Sequence, residues 1–272
     1  PDFKVTDDCG VVVKYMPEVP VHLVAGEESN MKLTYKEDTF LLDKLFQLRG
    51  SQAPEVPGKE HFGGRVAVVF GGSYGIGKDI ATELRNAGAK VYSFSRSLTG
   101  TDVGNRCDVA RALKEVADKE GKIDYVINTA GVLNKEPLCS MDYSIIQAAV
   151  QTNYMGTVNV ALEAYNYLKQ TQGQLIFFTS SSYTRGRAFY SIYSSTKAAI
   201  VNFVQAIAQE WESVGIRVNC INPERTKTPM RVKNFGVEPD DTLLKSEVVA
   251  DATVRCLMAD YTGQVIDVKR QG

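Results

Sequence analysis

Residues 66–80 read VAVVFGGSYGIGKDI: five apolar residues, a glycine-rich turn, and the start of an amphipathic stretch. The apolar run does not alternate with polar residues, the pattern of a strand covered on both faces. Glycines at 71, 75 and 77 allow a tight turn, close approach of a phosphate to the backbone, and close packing of helix on strand. The helix that follows directs its free N–H groups and partial positive charge at the turn, which suits a pyrophosphate. Gly71, Ser73, Tyr74, Gly75, Ile76 and Gly77 are therefore the expected phosphate-side contacts of a dinucleotide.

Outward from this unit, further apolar runs stand at 90–94, 123–130, 174–180, 216–222 and 263–268. Helical patterns fall near 76–87, 108–120, 142–169, 191–213 and 246–258. Strand–helix alternation over 65–272 predicts an α/β fold, a doubly wound parallel sheet. Residues 50–64 are rich in Pro and Gly and read as a linker. Residues 1–49 form a separate small α+β segment, with a strand around Val21–Val24 and a helix entered at Thr34. There Thr34 and Glu37 make a capping-box pattern.

The 272 residues carry a net charge of −1, which excludes a global basic field for nucleic acid. No apolar run approaches the roughly 18–20 residues of a membrane span. The beginning, PDFKVTDDCG, has neither Met nor a signal-peptide apolar region, and reads as an internal start in a longer polypeptide. Five scattered cysteines (Cys9, Cys107, Cys139, Cys220, Cys256) predict buried thiols in a reducing, cytoplasmic compartment. The only histidines, His22 and His61, lie outside the large domain, so no metal site of the His/Cys type is expected.

Tyr193 and Lys197 stand four apart in a helical pattern, so phenol and ammonium share one face. A phenol of pKa about 10 is poorly matched to neutral operation, and a neighbouring ammonium should lower it. Tyr165 and Lys169 repeat the spacing, but thirteen residues before Tyr165 stands Thr152, inside a helical stretch. Thirteen before Tyr193 stands Ser180, at the end of a strand, where ligands bind in such sheets. At the end of the second strand, an NAD site would place a carboxylate on the ribose. Ser95 and Arg96 stand there instead, a hydroxyl and a guanidinium suited to the 2′-phosphate of NADP(H).

The spacing Gly-x-x-x-Gly-x-Gly, with Ser180 and Tyr193-x-x-x-Lys197, resembles the short-chain dehydrogenase/reductase family over residues 65–272. The resemblance implies that Tyr193 protonates a substrate carbonyl oxygen and that Ser180 polarises it. It implies that Lys197 holds the nicotinamide ribose and that Asn153 supports a relay water. It places Asp108 and Val109 at the adenine, and Asn128, Ala130 and Gly131 at the close of a fourth strand. Pro223 and Thr228, after a sixth strand, would meet the nicotinamide. Three residues depart from the family pattern: Phe70 for Thr, Thr129 for Asn and Glu224 for Gly. Helices 142–169 and 191–213 resemble the pair that packs across subunits, implying a homo-oligomer, dimer or tetramer.

Arg225, Lys227, Arg231 and Lys233 outnumber Glu224 between 224 and 236 to leave +3, and Arg185 and Arg187 follow Ser180. These cations suggest an anionic substrate, most simply a phosphate ester; Arg185, Arg187, Arg225 and Arg231 are the candidate phosphate contacts. Thr6-Asp7-Asp8, VHLVAG (21–26), Asn30–Thr34 and Glu37-Asp38 resemble the C-terminal end of the methylerythritol-phosphate and ribitol-phosphate cytidylyltransferases. Lys32 takes the place of a phosphate-contacting lysine there, and the transferase's nucleotide loop would lie upstream. Such a transferase joined to a short-chain reductase resembles the bifunctional enzymes of capsular polysaccharide synthesis. That pairing implies reduction of D-ribulose 5-phosphate to D-ribitol 5-phosphate for CDP-ribitol formation. The alternatives are another carbonyl substrate, such as a different keto-sugar phosphate or a 3-oxoacyl thioester, and a noncatalytic NADP-binding scaffold.

Overall fold

The computed structural model describes residues 8–22, 24–26, 31–39, 41–42 and 62–270. The chain divides into two compact units, Pro1–Leu48 and Arg49–Gly272. The expected linker lies, up to residue 61, outside the described residues.

In the first unit, helix α1 spans Asp8–Tyr15. Val21 and Val24 are not in a strand, a correction to the sequence reading. A strand needs a ladder partner, and the described residues of this unit supply none. The second helix begins at 36, two residues after Thr34, and its capping carboxylate belongs to Asp38 rather than Glu37. Asp38 Oδ2 accepts the N–H groups of Tyr35 (2.7 Å) and Thr34 (2.8 Å), which together hold its carboxyl below the usual range. The box is shifted by one residue because Tyr35, not Thr34, occupies the boundary position.

The second unit is a six-stranded parallel sheet: β1 (Val66–Phe70), β2 (Lys90–Phe94), β3 (Tyr125–Asn128), β4 (Gln174–Phe178), β5 (Arg217–Pro223) and β6 (Val265–Val268), in the order β2-β1-β3-β4-β5-β6. Asn128 therefore closes the third strand and Pro223 the fifth, not the fourth and sixth. Residues 100–105 form no ladder. Alternate residues of β1 enter opposite cores, which explains its unbroken apolar run. Val66, Val68 and Phe70 pack with α4 (Arg106–Glu120), α6 (Gly156–Thr171) and α7 (Ser191–Trp211). Ala67 and Val69 pack with α2 (Gly75–Asn86) and α9 (Ser246–Met258).

Two further elements were not expected: α3 (Arg96–Thr99), after β2, and α8 (Pro229–Phe235), after β5. The single helix expected over 142–169 is α5 (Tyr143–Val150), a π-helical turn (Gln151–Met155) and α6. Such bulges inside helices recur at functional sites, and this one contains Asn153. Cys220 and Cys256 are buried thiols as expected, whereas Cys9, Cys107 and Cys139 are exposed. No helix among the described residues is long and apolar enough to cross a membrane.

The pairing register decides where the site lies. Phe70 is level with Phe94 and Asn128, Asn128 with Phe177, and Phe178 with Ile221. The turns after β1, β3, β4 and β5 therefore leave the sheet along one edge. Between β1 and β3 the strand order reverses, the crevice in which doubly wound sheets bind ligands.

Candidate active site

A cleft of about 610 Å³ runs along this edge, within the range of small-molecule and cofactor sites. At its β1 end Gly71, Ser73, Tyr74, Gly75, Ile76 and Gly77 all line the wall. Gly71 has φ +82°, and a methyl carbon on it would stand 2.6 Å from Thr129 Oγ1 and 2.7 Å from the Ala130 nitrogen. One on Gly77 would collide with the same hydroxyl and with the Gly71 carbonyl oxygen. Helix α2 starts here with no side-chain cap and no acidic residue in its first turn. Its first N–H groups therefore offer donors to an anion.

Two departures from the family pattern meet in this turn. Phe70 carries no hydroxyl to tie it, but Thr129 Oγ1 donates to the Phe70 carbonyl oxygen at 2.9 Å, and the Thr129 N–H reaches the same oxygen at 2.9 Å. The tie comes across the sheet from β3, and Phe70 is free to bury its ring against Phe94.

Beyond β2, Ser95 caps α3 by accepting the Leu98 N–H at 3.1 Å, and Arg96 is largely exposed, 3.9 Å from Asp102. Ser95, Arg96 and Ser97 line the cleft. Asp108 and Val109 do not, and that expectation is corrected. Val109 is wholly buried in the core, and Asp108 accepts the Asp102 N–H (3.1 Å) and pairs with Arg111 (2.6 Å). An earlier Asp-Val, Asp102-Val103, lines the wall in their place. The signal that separates the two pairs is Asn105, which caps α4 by accepting the Cys107 N–H at 3.0 Å. Only the pair before the cap lies in the loop at the sheet edge. Asn128 is buried; its Oδ1 accepts the Ala130 N–H at 3.1 Å and shapes the turn, while Ala130 and Gly131 face the cleft.

At the centre, Ser180 follows β4 while Tyr193 and Lys197 stand one turn apart on α7. All three line the cleft. Ser180 Oγ, which accepts the Ser182 N–H at 3.4 Å, stands close enough to the Tyr193 phenol to pull its pKa down. Lys197 Nζ donates to the Phe178 carbonyl oxygen at 2.8 Å and lies 5.6 Å from the Tyr193 ring centre. Burial pushes the lysine down to about 8. Burial also pushes the tyrosine up, against the opposing pull of the Ser180 hydroxyl and of Arg231. The expected lowering of the phenol by Lys197 is thus not what this geometry gives, because both groups are desolvated together. Asn153 is buried behind them: Oδ1 accepts the Val132 N–H (2.8 Å), and Nδ2 donates to the Val132 carbonyl (3.0 Å) and Thr196 Oγ1 (3.3 Å). A methyl carbon on Gly131 would sit 3.4 Å from Asn153 Oδ1 and 3.7 Å from Lys197 Nζ. Tyr165 and Lys169, the second Tyr-x-x-x-Lys, lie on α6 with the Tyr165 ring against Trp211, and serve packing.

At the β5 end, Pro223 and Thr228 face the cleft, and Thr228 caps α8 by accepting the Arg231 N–H at 3.2 Å. Arg187, Arg225 and Arg231 line the wall, but Arg185 does not. Arg231 is held by Glu238 through two contacts of 2.6 and 2.8 Å, and Lys227 by Asp240 at 2.7 Å. The +3 of 224–236 is therefore largely answered by acids just downstream, which a window ending at 236 does not reach. Tyr190 and Phe235, not anticipated, complete an aromatic wall with Tyr193. Among the described residues, no group of three His, Cys, Asp or Glu is placed to hold a metal ion.

A profile of the short chain dehydrogenases matches residues 65–237. The bifunctional ribulose 5-phosphate reductase/CDP-ribitol pyrophosphorylase Bcs1 of Haemophilus influenzae is 49% identical over 267 residues, which are 97% of this chain and 56% of that protein. The chain thus spans little more than half the length of that relative. Ipsdienol dehydrogenase of Ips pini is 35% identical over 202 residues, 64% of this chain and 79% of its own. Among solved structures, the aldohexose dehydrogenase of Thermoplasma acidophilum superposes with a TM-score of 0.72 at 21% identity, over 78% of this chain and 94% of that one. At that identity the likeness shows a shared fold.

Proposed function

The chain belongs to the short-chain dehydrogenase family, and from that premise we propose that it reduces a keto-sugar phosphate, D-ribulose 5-phosphate to D-ribitol 5-phosphate, with NADPH. One observation carries the reading: Ser180, Tyr193 and Lys197 stand in the same cleft as the glycine turn and the cationic β5 wall. An enzyme of this family uses a nicotinamide cofactor, and the residues fit one. Gly71 and Gly77 close the turn tightly, where a methyl would collide with Thr129 and the Gly71 and Ala130 backbone, and the uncapped N-terminus of α2 offers its N–H groups to a pyrophosphate. Ser95, Arg96 and Ser97 suit a 2′-phosphate, with Asp102 and Val103 beside the adenine, and they favour NADPH over NADH. Lys197 and Tyr193 would hold the nicotinamide ribose, and Pro223 and Thr228 the ring.

When bound, the cofactor supplies a hydride. The protein supplies the proton and the binding of the oxygen. Because burial raises the Tyr193 phenol, it remains protonated at neutral pH, the form a proton donor to a nascent alkoxide must have. The Ser180 hydroxyl polarises the carbonyl oxygen beside it. Lys197, poised near neutrality, places a positive charge under the tyrosine as the phenol gives up its proton. Asn153 acts as a positioning residue, fixing the strand-end segment at Val132 against Thr196, three residues after Tyr193.

Exposed Val150, Met155 and Leu162 along α5, the π turn and α6 suit pairing with a second copy, so we infer a homo-oligomer. The cysteines, none of them in a disulfide, fit the cytoplasm, where NADPH is the working reductant. Incubation with NADPH and D-ribulose 5-phosphate, followed by mass spectrometry, should show a pentitol phosphate formed in step with NADPH loss. A protein that binds NADPH yet forms no pentitol phosphate would overturn the substrate.

A further inference from the structure

We propose that the phosphate of the substrate is seated in a side pocket that adjoins the cleft beyond Ser181, walled by Arg187, Arg225, Lys269 and Arg270. This deepens the ketose-phosphate reading and rests on it. Lys269 and Arg270 belong to the segment after β6, which the sequence pattern does not connect with the site.

The pocket adjoins the cleft. Ser181, Arg187, Glu224 and Arg225 line both, and Ser181 is the neighbour of the carbonyl-polarising Ser180. In a 2-ketopentose 5-phosphate the phosphate sits at the far end of the chain from the carbonyl. A ligand with its carbonyl at Ser180 and Tyr193 can therefore reach past Ser181 with its other end.

Four cations line the pocket against two acids, Glu224 and Asp241. Arg187 donates to Ser181 Oγ at 3.2 Å, and neither Arg187 nor Arg225 makes an ion pair among the described residues. Lys269 is steered by Asp267 at 3.1 Å. Arg270 is anchored three ways: its N–H to Glu224 Oε2 at 3.0 Å, its Nε to Glu224 Oε1 at 3.5 Å, and its Nη1 to the Asp241 carbonyl oxygen at 2.7 Å. The carboxylate of Glu224 is thus engaged by Arg270, and the glutamate in place of the family's glycine brings a C-terminal guanidinium to the pocket wall. Asn222, whose Nδ2 donates to Asp267 at 2.7 Å, also lines the pocket.

The other cations of this face are less available. Arg231 is gripped on two sides by Glu238, Lys227 is paired with Asp240, and Arg185 lines neither cavity. Two unpaired guanidiniums with a third held in place suit the geometry of a phosphate better than those do.

Arg225→Ala and Arg270→Gln test the proposal, with Arg185→Ala as control and D-ribulose 5-phosphate and D-ribulose as paired substrates. Each of the first two should lower kcat/KM for the phosphorylated sugar by about 10–100-fold, the loss of one charged hydrogen-bond partner. The loss on D-ribulose should be at least tenfold smaller, and Arg185→Ala should change neither. Unchanged NADPH affinity in the variants would show that they fold. If the wild type prefers the phosphorylated sugar and both variants keep that preference, the pocket is overturned while the substrate reading stands. If the wild type does not reduce D-ribulose 5-phosphate, the substrate reading fails. Titration of inorganic phosphate into wild type and variants then decides the pocket separately. Binding lost in Arg225→Ala and Arg270→Gln supports it, and no binding, or equal binding in the variants, overturns it.

Discussion

At the β1 end of the cleft main chain is packed tightly against its neighbours, whereas at the β5 end side chains of opposite charge meet. Around Gly71 and Gly77 there is no room for a methyl group, because Thr129 and the Gly71 and Ala130 backbone already occupy the space. Around Glu224–Glu238 the wall is a set of ion pairs, Glu224–Arg270, Lys227–Asp240 and Arg231–Glu238, that decide which cations remain available to a ligand. In the proposed reading, cofactor recognition resides in shape and substrate recognition in charge balance. The first tolerates almost no substitution, and the second can be retuned one pair at a time.

The residues proposed as catalytic lie between these ends and give the largest expected effect. Tyr193→Phe should lower kcat by about 10²–10⁴-fold while NADPH still binds, since only the proton donor is lost; a near-normal kcat would remove Tyr193 from its role. Next, Gly77→Ala should weaken NADPH binding by about 10–100-fold, because overpacking a tight contact costs on the order of 1–3 kcal/mol. Fluorescence titration would show this, and normal affinity would mean that the β1 end is not shape-limited. Ser95→Asp should shift preference from NADPH toward NADH by roughly tenfold through repulsion of the 2′-phosphate, read as a ratio of kcat/KM values.

A pH profile probes the centre. Lys197, lowered to about 8 by burial, carries its charge below that pH and loses it above. In the reductive direction kcat/KM should therefore fall as pH rises past about 8, and a profile flat to pH 10 would show that the ammonium is not needed. The smallest effect is expected for Thr129→Val, which removes the hydroxyl tie to Phe70 and should cost about 1 kcal/mol in denaturant unfolding. No loss would mean that the Thr129 N–H alone holds the turn.

The same contrast explains what could be read from the sequence. The six strands, the main helices and the grouping of Ser180, Tyr193 and Lys197 rest on local pattern and fixed spacing, and the structure brings them together. The glycine turn was legible for the same reason. What could not be read depends on which side chains meet, near in sequence or far. Glu238 and Asp240 answer Arg231 and Lys227 from beyond the window in which charge was counted. Arg270 meets Glu224 across 46 positions. The hydroxyl absent at Phe70 returns on Thr129, 59 residues away. Between the two Asp-Val pairs, only the helix cap at Asn105 tells which one faces the cleft. In the first unit the cap moved by one residue because Asp38, not Glu37, reaches the free N–H groups.

The central claim is tested most directly by kcat/KM for NADPH-dependent reduction of D-ribulose 5-phosphate against D-ribulose by the wild-type protein. A preference of about a hundredfold or more for the phosphorylated sugar is predicted, the worth of a phosphate held by several charged contacts. Equal rates on the two sugars, or no turnover of D-ribulose 5-phosphate by protein that binds NADPH, would contradict it.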